Sequence, residues 1–207
     1  HYEYDKVTVQ NTVFMGNDPL WKLHAKREEL YAKSDTGEIT DEEADYLYGD
    51  LEIEYGDAGG YTMEADAHRL LKGLGIPEKV FDEEMSTLTG GFKLRVLLAQ
   101  SLFAKPDVLL LDEPTNHLDM DTIDWLVNFL KRHEGTVVVI SHDRHFLNNA
   151  CTHTADLDYQ ELRMFTGNYD SFMMASELIL EQQRRDNARK EKRADELKDF
   201  ISRFGAN

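Results

Sequence analysis

Two carboxylates, Asp112 and Glu113, follow directly on an apolar run at 108–111. If that run is a buried strand, both groups emerge at its carboxyl end, where open parallel sheets bind ligands. Asp112 suits the water shell of Mg²⁺, a hard cation that prefers carboxylate and phosphate oxygens. Glu113 is then left to orient and deprotonate an attacking water. His142 follows a second apolar run, 137–140, and reaches the same edge if the two strands are neighbours. An imidazole there can donate a hydrogen bond to a phosphate oxygen. The alternatives for His142 are a turn or helix-capping role, or a metal site with His145, Cys151 and His153, whose spacing matches no common zinc pattern. Upstream, Leu88, Thr89, Gly90 and Gly91 lead into an apolar helical segment. Glycines at a helix start expose backbone N–H groups to an anion, and Thr89 adds a hydroxyl; glycines so placed also simply make turns. Arg95, on the same segment, faces either the sheet edge or solvent.

These groups must be held by a strand, helix, strand unit. The runs 108–111 and 137–140 are short, continuous and rich in valine and leucine, which suits strands buried on both faces. Between them Ile123, Leu126, Val127 and Leu130 recur at helical spacing, and Lys131, Arg132 and Gly135 supply a helix ending. The crossover is expected to be right-handed and the sheet parallel. The segment after Gly91 reads as an amphipathic helix with its apolar face at Leu94, Leu97, Leu98 and Leu102. The fold class is therefore α/β.

The flanks differ from this middle. From 28 to 66 the only basic residue is Lys33 among many Asp and Glu, so a solvated projection is expected. It reads as helical, with Leu20, Leu23 and Leu30 marking one helix and Ala44, Leu47, Tyr48 and Leu51 a second, for which Thr40 and Glu43 form a capping box. A third helix carries Ala67, Leu70, Leu71 and Leu74 and is closed by Gly73, Gly75 and Pro77. Beyond Tyr169 no proline occurs, and a run of about 35 residues would reach about 50 Å as a helix. Its centre holds Arg184, Arg185, Arg189, Lys190, Lys192 and Arg193, and its end regains an apolar stripe at Leu197, Phe200, Ile201 and Phe204.

The net charge of -17 over 207 residues argues against non-specific attraction of the whole chain to nucleic acid or anionic lipid. A single cysteine, Cys151, cannot form an internal disulfide, which favours a reducing, cytoplasmic setting. No apolar run approaches the roughly 20 residues a membrane-spanning helix needs.

Taken in order, the segments resemble one family. Leu-Thr-Gly-Gly-Phe-Lys-Leu-Arg at 88–95 is similar to the ABC signature, and Val-Leu-Leu-Leu-Asp-Glu-Pro at 108–114 to a Walker B strand. Asn-His-Leu-Asp at 116–119 resembles a D-loop, and Ser-His-Asp at 141–143 the switch histidine. Thr89 stands where the signature usually has serine. The resemblance implies that Asp112 supports Mg²⁺, Glu113 is the general base and His142 senses the γ-phosphate of ATP. It further implies that Leu88, Thr89, Gly90 and Gly91 act on ATP held by a second ABC domain of the same parent chain, which Asp119 contacts. Asp-Glu-Pro-Thr-Asn-His-Leu-Asp, with Asn116 and His117, is similar to ABC-F proteins rather than transporter subunits. The acidic insert resembles the ABC-F arm, and the helix after Tyr169 the start of the linker between two ABC domains. The wording around 18–23 and 167–170 is similar to the YbiT branch of bacterial ABC-F proteins. The resemblance implies a ribosome and tRNA partner, with the basic stretch at phosphate and the arm at a basic ribosomal protein, no DNA and no membrane.

No Gly-x-x-x-x-Gly-Lys-Ser/Thr occurs in the sequence, so the groove for the β- and γ-phosphates is absent from it. The chain reads as an internal fragment whose P-loop lies before His1, with little or no ATP hydrolysis of its own. The expected organisation is a helical arm and adjoining helical region at 12–78, the signature, Walker B and switch portion of the ATPase core at 79–168, and the start of a linker helix at 169–207. The rival readings are an ATPase subunit of an ABC transporter and a non-catalytic ABC scaffold.

Overall fold

In the computed structural model of the chain, residues 4–158 and 160–204 are described, apart from the side chains of 41–45, 203 and 204. The expected capping contact of Glu43, the burial of Ala44 and the stripe residue Phe204 lie outside the described side chains. The chain forms two compact units, His1–His142 and Asp143–Asn207.

The first unit begins with α1 (Val9–Phe14), whose N-terminus is closed by Thr8 accepting from the Asn11 amide at 3.2 Å. In α2 (Asp18–Asp35), Asn17 is the cap and Pro19 sits in the first turn, where its missing N–H costs nothing. The next helix, α3 (Asp41–Asp57), lies against α2. Ring pairs His24–Tyr55 and Tyr31–Tyr48 and the ion pair Arg27–Glu52 step in opposite directions along the two helices, so they run antiparallel. Arg27 holds this hairpin together. Its guanidinium lies 4.7 Å from the Tyr31 ring centre and 5.0 Å from that of Tyr55, and Nε donates to Glu52 at 2.5 Å. Leu51 and Tyr55 are buried while Leu47 is exposed, which places the inner face of α3 one step from the stripe expected.

A 3₁₀ turn (Gly60–Thr62) leads into α4 (Met63–Gly73), which buries Met63, Ala67, Leu70 and Leu71. α5 (Gly90–Phe103) packs on α1 and α4. Its buried residues are Val96, Ala99, Leu102 and Phe103; of the expected Leu94, Leu97, Leu98 and Leu102 only Leu102 is among them, Leu97 and Leu98 being half-buried and Leu94 exposed. Apolar residues occur almost all round this helix, so periodicity could not select the face that α1 covers. That face is fixed by Phe103 against Phe14 and by Gln100 donating to the Thr12 carbonyl at 2.8 Å.

The strand, helix, strand unit is present as β1 (Val108–Asp112), α6 (Met120–Leu130) and β2 (Thr136–Ile140). β1 and β2 are parallel, with Val108 opposite Thr136 and Asp112 opposite Ile140. Burial on both faces is not what these strands show. Leu109 and Leu111 are buried, whereas Leu110 is 72% and Ile140 62% exposed, as the two-residue period of a strand dictates when one face is covered. A continuous apolar run is written for two covered faces, and the described residues cover one.

In the second unit Asp143 caps α7 (Arg144–Ala150) by accepting from the Phe146 amide at 3.1 Å. The antiparallel pair β3 (His153–Asp158) and β4 (Glu161–Thr166), absent from the sequence reading, follows. α8 (Tyr169–Phe204) is one helix of 36 residues, anchored at its start by Phe172 against Phe165 and Tyr169. Leu197, Phe200 and Ile201 near its end are exposed. Among the described residues no helix is long and apolar enough to cross a membrane.

Candidate functional site

The parallel register brings the tips of β1 and β2 side by side, and the groups singled out at those tips meet. Glu113 leaves β1 with its amide donating to the Ile140 carbonyl at 2.8 Å, which extends the ladder by one rung. Its backbone then turns at φ 48, a left-handed conformation that swings the carboxylate off the strand axis. Glu113 Oε1 lies 3.7 Å from His142 Nε2, and the His142 amide donates to Oε2 at 3.4 Å. The Glu113 side chain is 26% exposed and that of His142 wholly exposed, so the imidazole stands at the rim with the carboxylate set back behind it. Asp112, the last residue of β1, is exposed beside them. The hydroxyls of Thr115 and Ser141 approach to 3.4 Å and join the same two tips a second time.

Asp119 is the N-cap of α6, accepting from the Thr122 amide at 2.9 Å. That hydrogen bond, helped by the charge of Arg95, holds its carboxyl below the usual aspartate range. Between Glu113 and Asp119 the loop turns again at His117, with φ 66. Thr89 is the N-cap residue of α5 and makes no side-chain cap hydrogen bond, so its hydroxyl is not committed to the helix end. A Cβ built on Gly90 would meet no atom within 4 Å, and one on Gly91 only the Cβ of His117 at 3.8 Å. The glycine pair therefore presents open backbone at the helix start, as an anion-facing segment requires.

Arg95 is the residue whose role sequence reasoning left open. It is mostly buried, donating from Nη1 to the Leu74 carbonyl at 3.2 Å and from Nη2 to the His117 carbonyl, with Asp119 Oδ2 at 3.8 Å. No spacing rule marks such a contact, because its partners are two backbone carbonyls.

In the second unit, Arg184, Arg185, Arg189, Lys190, Lys192 and Arg193 are all exposed on α8. Three are partly neutralised on the same helix, Arg185 by Glu181 at 3.1 Å, Arg189 by Asp186 at 3.9 Å and Arg193 by Glu196 at 3.5 Å. His145 and His153 are exposed and Cys151 is half-buried. Among the described residues no group of three His, Cys, Asp or Glu side chains could hold a metal ion, which leaves the four-residue metal reading without support. Burial pushes the Cys151 thiol up, away from a reactive thiolate.

A family model described as ABC transporter matches residues 5–116, and a second of the same description matches 155–207. The chain belongs to the ABC transporter family. Over 206 residues it is 50% identical to "Probable ATP-binding protein YbiT" of Escherichia coli O157:H7, all of this chain against 38% of that protein. It is 39% identical over 174 residues to "ABC transporter F family member 4" of Arabidopsis thaliana, 81% of this chain against 24% of that protein. The chain thus spans well under half the length of the curated relatives it matches. A solved ATP-binding subunit of an ABC transporter superposes with a TM-score of 0.50 at 15% identity, covering 79% of this chain and 54% of that one, a likeness of fold. The α/β class, the parallel pair and the YbiT-like ABC-F resemblance read from the motifs agree with these relatives.

Proposed function

We propose that this chain is part of an ABC-F ATPase that acts on the ribosome, and that the joined tips of β1 and β2 form the water-activating half of its nucleotide site. The observation that carries the reading is the 3.7 Å approach of Glu113 to His142 across two parallel strand ends. A carboxylate set behind an exposed imidazole can accept a proton from a water held at the rim. The imidazole can meanwhile hydrogen-bond the terminal phosphate that the water attacks. Asp112 is an exposed hard oxygen donor at the same strand end. One carboxylate without a protein cage fits Mg²⁺, which keeps most of its waters and takes its other ligands from phosphate. When bound, Mg²⁺ neutralises phosphate charge. Asp112 orients its water shell, Glu113 takes the proton, and His142 holds the phosphate oxygen.

Thr89, Gly90 and Gly91 present free backbone N–H groups and a hydroxyl at the start of α5, and Leu88, whose amide donates to the Met85 carbonyl, leads into them. In this reading they serve ATP held by a second ABC domain, with Asp119 at the boundary between domains. Region 12–78 is the helical arm and adjoining helical region, 79–168 the signature, Walker B and switch portion of the core, and 169–207 the linker start. On that linker, Arg184, Arg185, Arg189, Lys190, Lys192 and Arg193 contact RNA phosphate, tRNA included, and the acidic arm meets a basic ribosomal protein in the cytoplasm. The test is sedimentation of the intact parent protein with ribosomes. With ATP, Glu113→Gln is expected to pellet more protein than wild type, because binding survives while water activation fails. Equal pelleting of the two with ATP present would defeat the ribosome reading. Pelleting with membranes instead would favour a transporter subunit.

A further inference from the structure

The loop that carries Glu113, His117 and Asp119 is held from behind by α5, and through α5 by the end of α4. Two of its residues, Glu113 and His117, adopt positive φ without being glycine. Such turns persist only where surrounding contacts fix them. The fixing contact at His117 is its carbonyl accepting from Arg95 Nη2, and the same guanidinium reaches Asp119 Oδ2 at 3.8 Å. Its other nitrogen donates to the Leu74 carbonyl, one residue past α4, at 3.2 Å. The Phe92 ring, 5.3 Å from the guanidinium carbon, backs the group on its own helix. Gly75 completes the arrangement. It has φ +73, and a Cβ there would lie 2.8 Å from Arg95 Nη1 and 3.4 Å from the Thr122 hydroxyl, so only glycine leaves the guanidinium its place.

We propose that Arg95 is a positioning residue that ties the end of α4 to the 113–119 loop, so that displacement of α4 is felt at Glu113 and Asp119. A planar guanidinium can serve both carbonyls at once, where the single ammonium of lysine cannot keep this fork geometry. The link also reaches the arm. Tyr61, in the turn that starts α4, donates to Glu52 of α3 at 2.6 Å, and the Tyr55 ring occupies the space a Cβ on Gly60 would need. Arm, α4, Arg95 and loop are thus joined by successive direct contacts. That this loop serves ATP rests on the proposed function; the mechanical link does not.

Hydrogen exchange on the 207-residue chain tests the link directly, with Arg95→Lys and Gly75→Ala as separate variants. The amides to follow are Asn116 and Leu118, which donate within the loop, and Thr122, which donates to Asp119. Both variants are expected to exchange at these amides at least about tenfold faster while β1 and β2 keep their protection. Gly75→Ala is the sharper of the two at Asn116 and Leu118, because it is far from them in sequence and reaches them through Arg95. The new Cβ would itself lie 3.4 Å from the Thr122 hydroxyl, so the Thr122 amide is read in Arg95→Lys alone. Unchanged exchange at Asn116 and Leu118 in either folded variant overturns the proposal. General acceleration that includes β1 and α5 does so too, since Arg95 would then be a residue of core stability. In the intact parent, Arg95→Lys is expected to lower kcat about tenfold with KM for ATP within about twofold, because the guanidinium is committed to the Leu74 and His117 carbonyls. A rise in KM with kcat unchanged contradicts it. A wild-type parent that hydrolyses no ATP would sink the nucleotide reading, while the exchange result would still decide the link.

Discussion

Replacing Gly73 by alanine sets a small helical gain against a large steric loss at the seam between α4 and α6. A Cβ at this position would lie 1.9 Å from Trp125 Cε2 and 2.2 Å from Cζ2. Carbon atoms in contact prefer about 3.5–4 Å, so the indole must retreat by roughly 1.5–2 Å. Retreat costs it the stacking on Phe129 at 5.4 Å and its place beside buried Leu126 and Val127, although the half-buried ring borders an open cavity with Gly73 and Lys72 that takes up part of the movement. Overpacking of this kind costs about 1–3 kcal/mol. Alanine returns at most about 0.5–1 kcal/mol of helix propensity, and less at the last residue of a helix. The net loss is about 1–2 kcal/mol, or about 2–8 °C in Tm for a chain of this size. Thermal unfolding of Gly73→Ala followed by circular dichroism reads it. The same substitution made on a Trp125→Leu background removes the clash and is expected to be neutral or slightly stabilising. A Gly73→Ala chain that melts at or above wild type, or an equal loss on both backgrounds, would refute the steric argument.

Arg27→Ala strips the arm of a charge-assisted hydrogen bond and two ring contacts, and is expected to destabilise the α2–α3 hairpin by about 1–3 kcal/mol, read as faster limited proteolysis within 30–50. Burial pushes the His24 imidazole below its ordinary 6.5, outweighing the charge of Glu28. The unfolded chain therefore takes up a proton first as pH falls, so this contribution is intact above pH 6.5 and is lost on acidification toward the folded value. Tm should fall between pH 7.5 and 5.5, and His24→Phe should flatten that slope. Replacing Arg184, Lys190 and Lys192 together by glutamine should weaken RNA binding by the parent and reduce the slope of log K against log salt by about 2–3. An unchanged slope would refute the proposed contact of α8 with RNA phosphate.

The sequence was most informative where chemistry and pattern coincide. An apolar run ending in Asp112 and Glu113 and a second ending before His142 place three groups at one edge once the strands are neighbours, as β1 and β2 are, because parallel neighbours bring their carboxyl ends together. The long helix from Tyr169 was equally legible, since nothing in it breaks helical geometry. Facewise detail was not. α5 is apolar on nearly every side, so only its contact with Phe14 and Thr12 decides that Val96 and Ala99 are buried while Leu94 is exposed. The runs 108–111 and 137–140 are apolar at every position, so the sequence could not announce that Leu110 and Ile140 would be exposed. Arg95 was visible but mute, as its meaning lies in the carbonyls of Leu74 and His117, which any residue would supply. The β3–β4 pair was overlooked although Ala155, Leu157, Leu162 and Met164 alternate with Asp156, Asp158 and Arg163; each alternating run is only three or four residues long, and its apolar positions stay exposed.

Turnover of ATP by the intact parent, measured for wild type and Glu113→Gln alongside retention of unhydrolysed ATP, bears most directly on the site formed by the two strand tips. The expected result is a fall in kcat of about 100-fold or more with ATP still held, since the carboxylate acts on water rather than on binding. Turnover by Glu113→Gln at the wild-type rate would contradict the account.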